Sequence, residues 1–373
     1  MRMSHVLMAA VACVLTASLM GQSAPPAAGP YKVIKKEAAG GTGGMDYVFA
    51  DDAGRKLYVP RGNRVEVFDL DTLKPAGTIS PTNGVHGAAV DPVSKHGFCS
   101  SNPVVMWDTE TLKTIKTIPV TGGPDGILFD PFTQHVHILS HSAPNVTVID
   151  TKDGAVLGTI DLGGPPEQGV SDGKGKLYIT IEQVPGKVAV VDAKTMKVLT
   201  TYDLGAKGGQ LAGMAMDVKN NILFVSGRTP AACVVMNAGD GSIITTLPIG
   251  TGVDASTFNP ATMEAFVSSG DGKLTVIKEK DPKTFEVEQT VQTLQGGKTC
   301  TLDAKTGLVY VIANDPSVPV AGAAAPATPP AATPPAPTPP AAAGRGGPGG
   351  GGRGRGRGPA GTFTIVVVGK DAK

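Results

Sequence analysis

The sequence predicts an all-β chain, a seven-bladed β-propeller of four-stranded blades whose ring is closed by the N-terminal strand pairing into the last blade. Three observations predict it. One phrase recurs seven times at a period near 42 residues. Every apolar run inside the phrase alternates with period two, the mark of strands and not of helices. The last copy lacks a fourth strand, and a matching segment waits at the other end of the chain.

The first copy shows the elements in order. Strand A is "YVFA", strand B "KLYVP", strand C "RVEVFD" and strand D "PAGTIS". The Asp or Asn that follows strand A falls at Asp51, Asp91, Asp130, Asp172, Asp217, Asn259 and Asp303, with separations of 40, 39, 42, 45, 42 and 44 residues. One blade per repeat is the propeller reading of such a period. Helical repeats of similar length need 3.6-residue spacing, which is absent, and 50 Gly with 31 Pro leave little room for long helices. The seventh copy ends on strand C, "GTFTIVVVG" at 361–369, while "YKVIKKEAAGG" at 31–41 matches "TLKTIKTIPVTGG" at 111–123. An N-terminal strand in the last blade removes the open edges of the ring.

Residues 1–23 read as a secretory signal peptide, with Arg2 ahead of the short apolar run "VLMAAVACVLTASLM", and 24–30 as a linker to a propeller spanning 31–373. A periplasmic or secreted location follows, with no membrane span once the leader is removed. Cys13 sits in a poor lipobox. Cys99, Cys233 and Cys300 are odd in number and each lies in an apolar strand pattern, so they read as small buried hydrophobes. Residues 316–360 form a Pro/Ala-rich and then Gly/Arg-rich insertion within the last blade, expected to be disordered. The net charge of +1 includes Arg2, Arg345, Arg353, Arg355 and Arg357 from leader and insertion, so the folded body is acidic by four. That argues against duplex nucleic acid as a partner. The Arg-Gly run keeps single-stranded nucleic acid or another anionic polymer open as an alternative partner, beside the simpler reading of a solvated loop.

"KLYVPRGNRVEVFD", "KLYITIEQVPGKVAVVD" and "HILSHSAPNVTVID" resemble the repeat phrase of YVTN-repeat (YncE-like) bacterial propellers, over essentially residues 31–315 and 361–369. The resemblance implies the fold and says little about activity. WD-repeat proteins are a poorer match, since Trp107-Asp108 is the single WD dipeptide.

Chain direction locates the candidate site. Residues five before each aligned Asp or Asn should ring one mouth of the central channel: Asp46, His86, Asp125, Glu167, Ala212, Asp254 and Lys298. The ends of strand B add Arg61, Asn102, His141, Glu182, Arg228 and Asn314 to the same face. The functional reading is a polar cup for a cation or small polar ligand, with calcium or zinc as the possible ion. The competing reading has Asp46, Asp125 and Asp254 accept backbone N–H bonds in the turns before strand A. His135, His137 and His141 share one short strand, but His135 stands too far from His141 for one zinc site. Asp69, Asp108, Asp150, Asp192 and Asn237 at the ends of strand C, and Asp51, Asp91 and Asp130 in the A–B hairpins, read as turn formers.

No nucleophile elbow, P-loop, dinucleotide fingerprint or haem-attachment motif is present in the sequence. The expectation is therefore a monomeric binding module for a small polar ligand or protein partner, with no catalytic residue assigned. A metal-assisted lactonase or quinoprotein-like oxidoreductase using the same mouth is the enzyme alternative.

Overall fold

Alternating sequence needs a partner for each strand face, and the chain satisfies this by closing on itself. A computed structural model describes residues 29–40, 44–319 and 361–370. The leader at 1–23, most of the 24–30 linker and all of the 316–360 insertion beyond residue 319 lie outside the described residues. Seven four-stranded antiparallel sheets are present, each running A-B-C-D in chain order except the last. The seven A strands are Phe49–Asp51, Ala88–Asp91, Pro124–Asp130, Pro166–Ser171, Leu211–Asp217, Val253–Asn259 and Cys300–Asp303. Each packs against the next, and the seventh packs against the first, so the ring is complete. Among the described residues the one helical element is a 3-10 turn at Gly205–Lys207, and no helix is long and apolar enough to cross a membrane.

The seventh blade pairs Cys300–Asp303, Leu308–Asp315, Thr362–Lys370 and the N-terminal strand Tyr31–Ala38. Tyr31 stands opposite Lys370 and Ala38 opposite Thr364. Tyr31 also anchors the strand to the neighbouring sixth blade. Its backbone N–H donates to Gln289 Oε1 at 3.0 Å, its carbonyl accepts from Gln289 Nε2 at 2.7 Å, and its hydroxyl donates to Glu264. Its ring lies edge-on to Phe266.

The core is divided among the seams between blades. Seven apolar clusters occupy the seven seams, one each. The seam between blades 7 and 1, for instance, joins Leu57, Val59 and Phe68 to Tyr310, Ile312 and Phe363. Strands B and C are nearly all buried, whereas a D strand such as Thr114–Ile118 is exposed except at its last residue. Cys99, Cys233 and Cys300 are buried free thiols pushed up to about 11, 12 and 11 by burial, as small hydrophobes rather than reactive groups. The strand-C aspartates act in turns. Asp69 Oδ1 accepts from the Thr72 backbone N–H at 2.8 Å and its hydroxyl at 2.7 Å, and Asp108 and Asp192 treat Thr111 and Thr195 the same way.

Candidate functional site

A strand that must both pack in a wedge and aim a side chain at the axis needs a local break in its ladder. Blades 3 to 6 supply one. The A–B register slips between Pro124 and Ile127, Pro166 and Gly169, Leu211 and Gly213, and Val253 and Ala255. Each bulge contains a predicted ring position, and a bulge re-aims the side chain it carries. Strand-B hydroxyls hold the deformed backbone. Ser100 Oγ donates to the Asp125 carbonyl of the next blade, Thr180 Oγ1 to the Gln168 carbonyl at 2.9 Å, and Ser268 Oγ to the Lys298 carbonyl at 2.7 Å. Gly126 lets strands A of blades 3 and 4 close up, since a Cβ there would lie 2.3 Å from the Glu167 carbonyl oxygen.

The result is a cup of about 640 Å³ at one mouth of the channel, lined by Asp46, His86, Asp125, His141, Glu167, Glu182, Arg228, Asp254 and Lys298. Nine of the thirteen predicted positions thus share one cavity, to which every blade contributes; Arg61, Asn102, Ala212 and Asn314 do not line it. Their partners form a closed circuit of alternating charge. Lys298 Nζ meets Asp46 Oδ1 at 3.3 Å and Asp46 Oδ2 meets His86 Nδ1 at 2.8 Å. His86 Nδ1 also contacts Asp125 Oδ1, and Asp125 Oδ2 lies 2.9 Å from His141 Nε2. His141 Nε2 is 3.8 Å from Glu167 Oε1, which meets Arg228 Nη1 at 3.3 Å. Arg228 then reaches Asp254, and Asp254 returns to Lys298. Glu182 hangs from the circuit, 2.7 Å from Arg228 Nη1.

The competing turn reading concerned three aspartates. Among the described residues Asp125 takes His86 and His141, Asp254 takes Arg228 and Lys298, and Asp46 takes His86 and Lys298, all side chains and no backbone N–H group of the turns before strand A. Arg61 is not in the cup. Its guanidinium lies 4.1 Å over the Phe363 ring, buried in the seam with blade 7, and burial pulls its pKa down. Ala212 is fully buried. His137, also buried, lies away from the cup on the strand His135–Ser140.

The charges hold one another in their ionised forms. Burial pulls His86 down, but the Asp125 and Asp46 carboxylates lift it to about 9. Asp125 and Glu167 lift His141 to about 10. Burial pushes Asp125 up, yet the two imidazoles hold it well below the usual carboxylate range. Asp254 is raised to about 6 by burial in spite of Lys298 and Arg228. With both imidazoles protonated, five acids face four bases. Two of the bases stand outermost: the side chains of Lys298 and His141 are 43% and 45% exposed, while the carboxylates of Asp125, Glu167 and Asp254 are 10%, 7% and 4% exposed.

Two residues of the site carry no mark in the ring pattern itself. Tyr47 donates to Glu167 Oε2 at 2.9 Å across the channel. Gln168 Oε1 accepts from the backbone N–H groups of Met214 at 2.7 Å and Ser256 at 3.1 Å, joining strands A of blades 4, 5 and 6 below the cup. A signal was available. The position after the ring residue is small in the other five blades (Gly87, Gly126, Gly213, Ala255, Thr299), and Tyr47 and Gln168 are the exceptions.

Fold and site define the class: a seven-bladed β-propeller with a charged cup at one mouth of its channel. No protein-family model matches the sequence, and no curated protein matches it. Solved structures do. A chain from the crystal structure of the mitotic checkpoint complex aligns with a TM-score of 0.66 at 12% identity, covering 82% of this chain and 96% of that one. A chain of Kuenenia stuttgartiensis hydrazine synthase aligns with a TM-score of 0.64 at 14% identity, covering 72% and 92%. With 1688 chains matching, the likeness shows a fold in wide use and no more.

Proposed function

We propose that the protein is an exported binding module of the YVTN-repeat kind, which captures a small ligand rich in acceptor oxygens at the charged cup. The single observation that carries this reading is the layering of the cup. Carboxylates lie beneath, while the side chains of Lys298, His141 and Arg228, each paired to them, remain 43%, 45% and 25% exposed around a cavity of about 640 Å³. Donors already ordered by buried carboxylates lose little freedom when a ligand arrives, so a carboxylate or hydroxylated ligand gains charge-assisted hydrogen bonds at small entropic cost. The leader-like 1–23 segment and the repeat phrase support export and kinship.

The test is calorimetry and thermal shift against a panel of small carboxylates, sugar acids and amines. The expected result is binding of acids and no binding of amines. Lys298→Met and Arg228→Met should each weaken binding by about tenfold or more. A protein that takes amines in preference, or binds acids equally well without Lys298, overturns the reading. N-terminal sequencing of the exported protein checks the leader, with a new terminus expected near residues 21–24.

A further inference from the structure

We infer that the cup is built to hold two divalent transition-metal ions bridged by the Asp125 carboxylate, one between Asp46 and His86 and the other between His141 and Glu167. The two triads Asp46–His86–Asp125 and Asp125–His141–Glu167 each place one donor atom per residue within 4.8 Å of the other two. They share Asp125, and they share it in a particular way. Its Oδ1 faces His86 Nδ1 and its Oδ2 faces His141 Nε2, so each oxygen serves a different triad. Paired metal sites use a common bridging group to hold ions about 3.5–4 Å apart.

The outer carboxylates repeat the same division. Asp46 gives Oδ1 to Lys298 at 3.3 Å and Oδ2 to His86 at 2.8 Å. Glu167 gives Oε2 to the Tyr47 hydroxyl at 2.9 Å and turns Oε1 toward His141, that oxygen also lying 3.3 Å from Arg228 Nη1. In each, a positioning group holds one oxygen and the other lies beside an imidazole nitrogen, with Arg228 steadying Glu167 a second time, the outer support that ligating carboxylates take. The 3.8 Å between His141 Nε2 and Glu167 Oε1 is long for a hydrogen bond. Two ligands on one tetrahedral zinc ion stand roughly 3.4 Å apart, given metal–ligand bonds of about 2.0–2.1 Å. Imidazole with carboxylate in each triad suits zinc or manganese better than calcium, which favours a shell of oxygens.

The inference uses the same cup as the proposed function but does not need the ligand, so the probe is metal alone. The whole chain is stripped with chelator, then titrated with zinc chloride by calorimetry and with manganese chloride by electron paramagnetic resonance. Two ions per chain and an exchange-coupled manganese signal are expected. Asp125→Asn, which keeps the side-chain shape, should lose both ions. His86→Gln and His141→Gln should each lose one and with it the coupled signal. Asp69→Asn, on the opposite face, serves as the control and keeps both. Binding of no ion, of one ion, or of two ions that survive Asp125→Asn with an unchanged melting curve overturns the inference. If no ion binds and the stripped protein still captures small acids, the metal centre alone falls and the ligand reading stands.

Discussion

His137 is an imidazole with nowhere to put a second proton. It is fully buried on strand B of the third blade, and neither ring nitrogen has a hydrogen-bond partner among the described residues. Burial pulls its pKa from 6.5 to about 4, with Asp130 opposing weakly and His135 adding to the fall. The unfolded chain therefore binds a proton that the folded chain refuses between those values. The ring costs nothing above pH 6.5; as the pH falls toward 4 stability drops, by about 3 kcal/mol in all. Urea melts of the wild type and His137→Leu at pH 7 and pH 4.5 should show a smaller acid loss in the variant. Equal losses would remove His137 from the account. The cup is legible at this scale only in part. Ring positions could be counted from the repeat, because side-chain direction follows from period two. The circuit could not, because which carboxylate meets which base depends on bulges such as Val253/Ala255 that the alternation does not record. Arg61 illustrates the limit. It ends strand B like Arg228, yet the aromatic face of Phe363 beside it draws the guanidinium into the seam.

At the scale of the element, strand Tyr31–Ala38 does the most with the least burial. Its pattern is mostly exposed, so its own apolar area contributes little. Its grip comes from the ladder to Thr362–Lys370 and from Tyr31, which is buried, bonded to Gln289 and Glu264, and covered by Lys370 Nζ 4.8 Å above its ring. Tyr31→Ala should cost about 3 kcal/mol, the loss typical of a large buried aromatic. Hydrogen exchange should show the loosening first in strands 31–38 and 362–370 and not in blade 3; uniform loosening would mean that closure is not the weak point. This strand was readable in advance because "YKVIKKE" repeats the edge chemistry of "LKTIKTI", mixing Lys with Ile or Val. Its clasp on blade 6 was not readable, since Tyr31 and Gln289 are 258 residues apart and neither belongs to the repeat.

For the whole molecule, the repeating seams make the fold tolerant where the chain leaves the ring. Asp315 and Thr362 are paired residues of adjacent strands, and Thr362 Oγ1 donates to the Pro319 carbonyl at 2.9 Å. Joining residue 319 directly to 361 therefore leaves a short hairpin loop between strands already in register. Shortening the connection by 41 residues spares roughly three doublings of loop length, about 2 kcal/mol of closure entropy. The excised protein should melt no lower than the parent, with its metal and acid binding intact; a lower melting temperature would show that 320–360 packs on the body.

The last sheet also sets an order of events. Its outer strand precedes every other strand of the ring in the chain and Thr362–Lys370 follows every other, so the circle seals only once all the strands between them have been made. Until residue 370 is available, each wedge has neighbours but the assembly keeps a gap, and the seam beside it stays wet. A chain with so late a keystone stays an open arc until its final strand is in place.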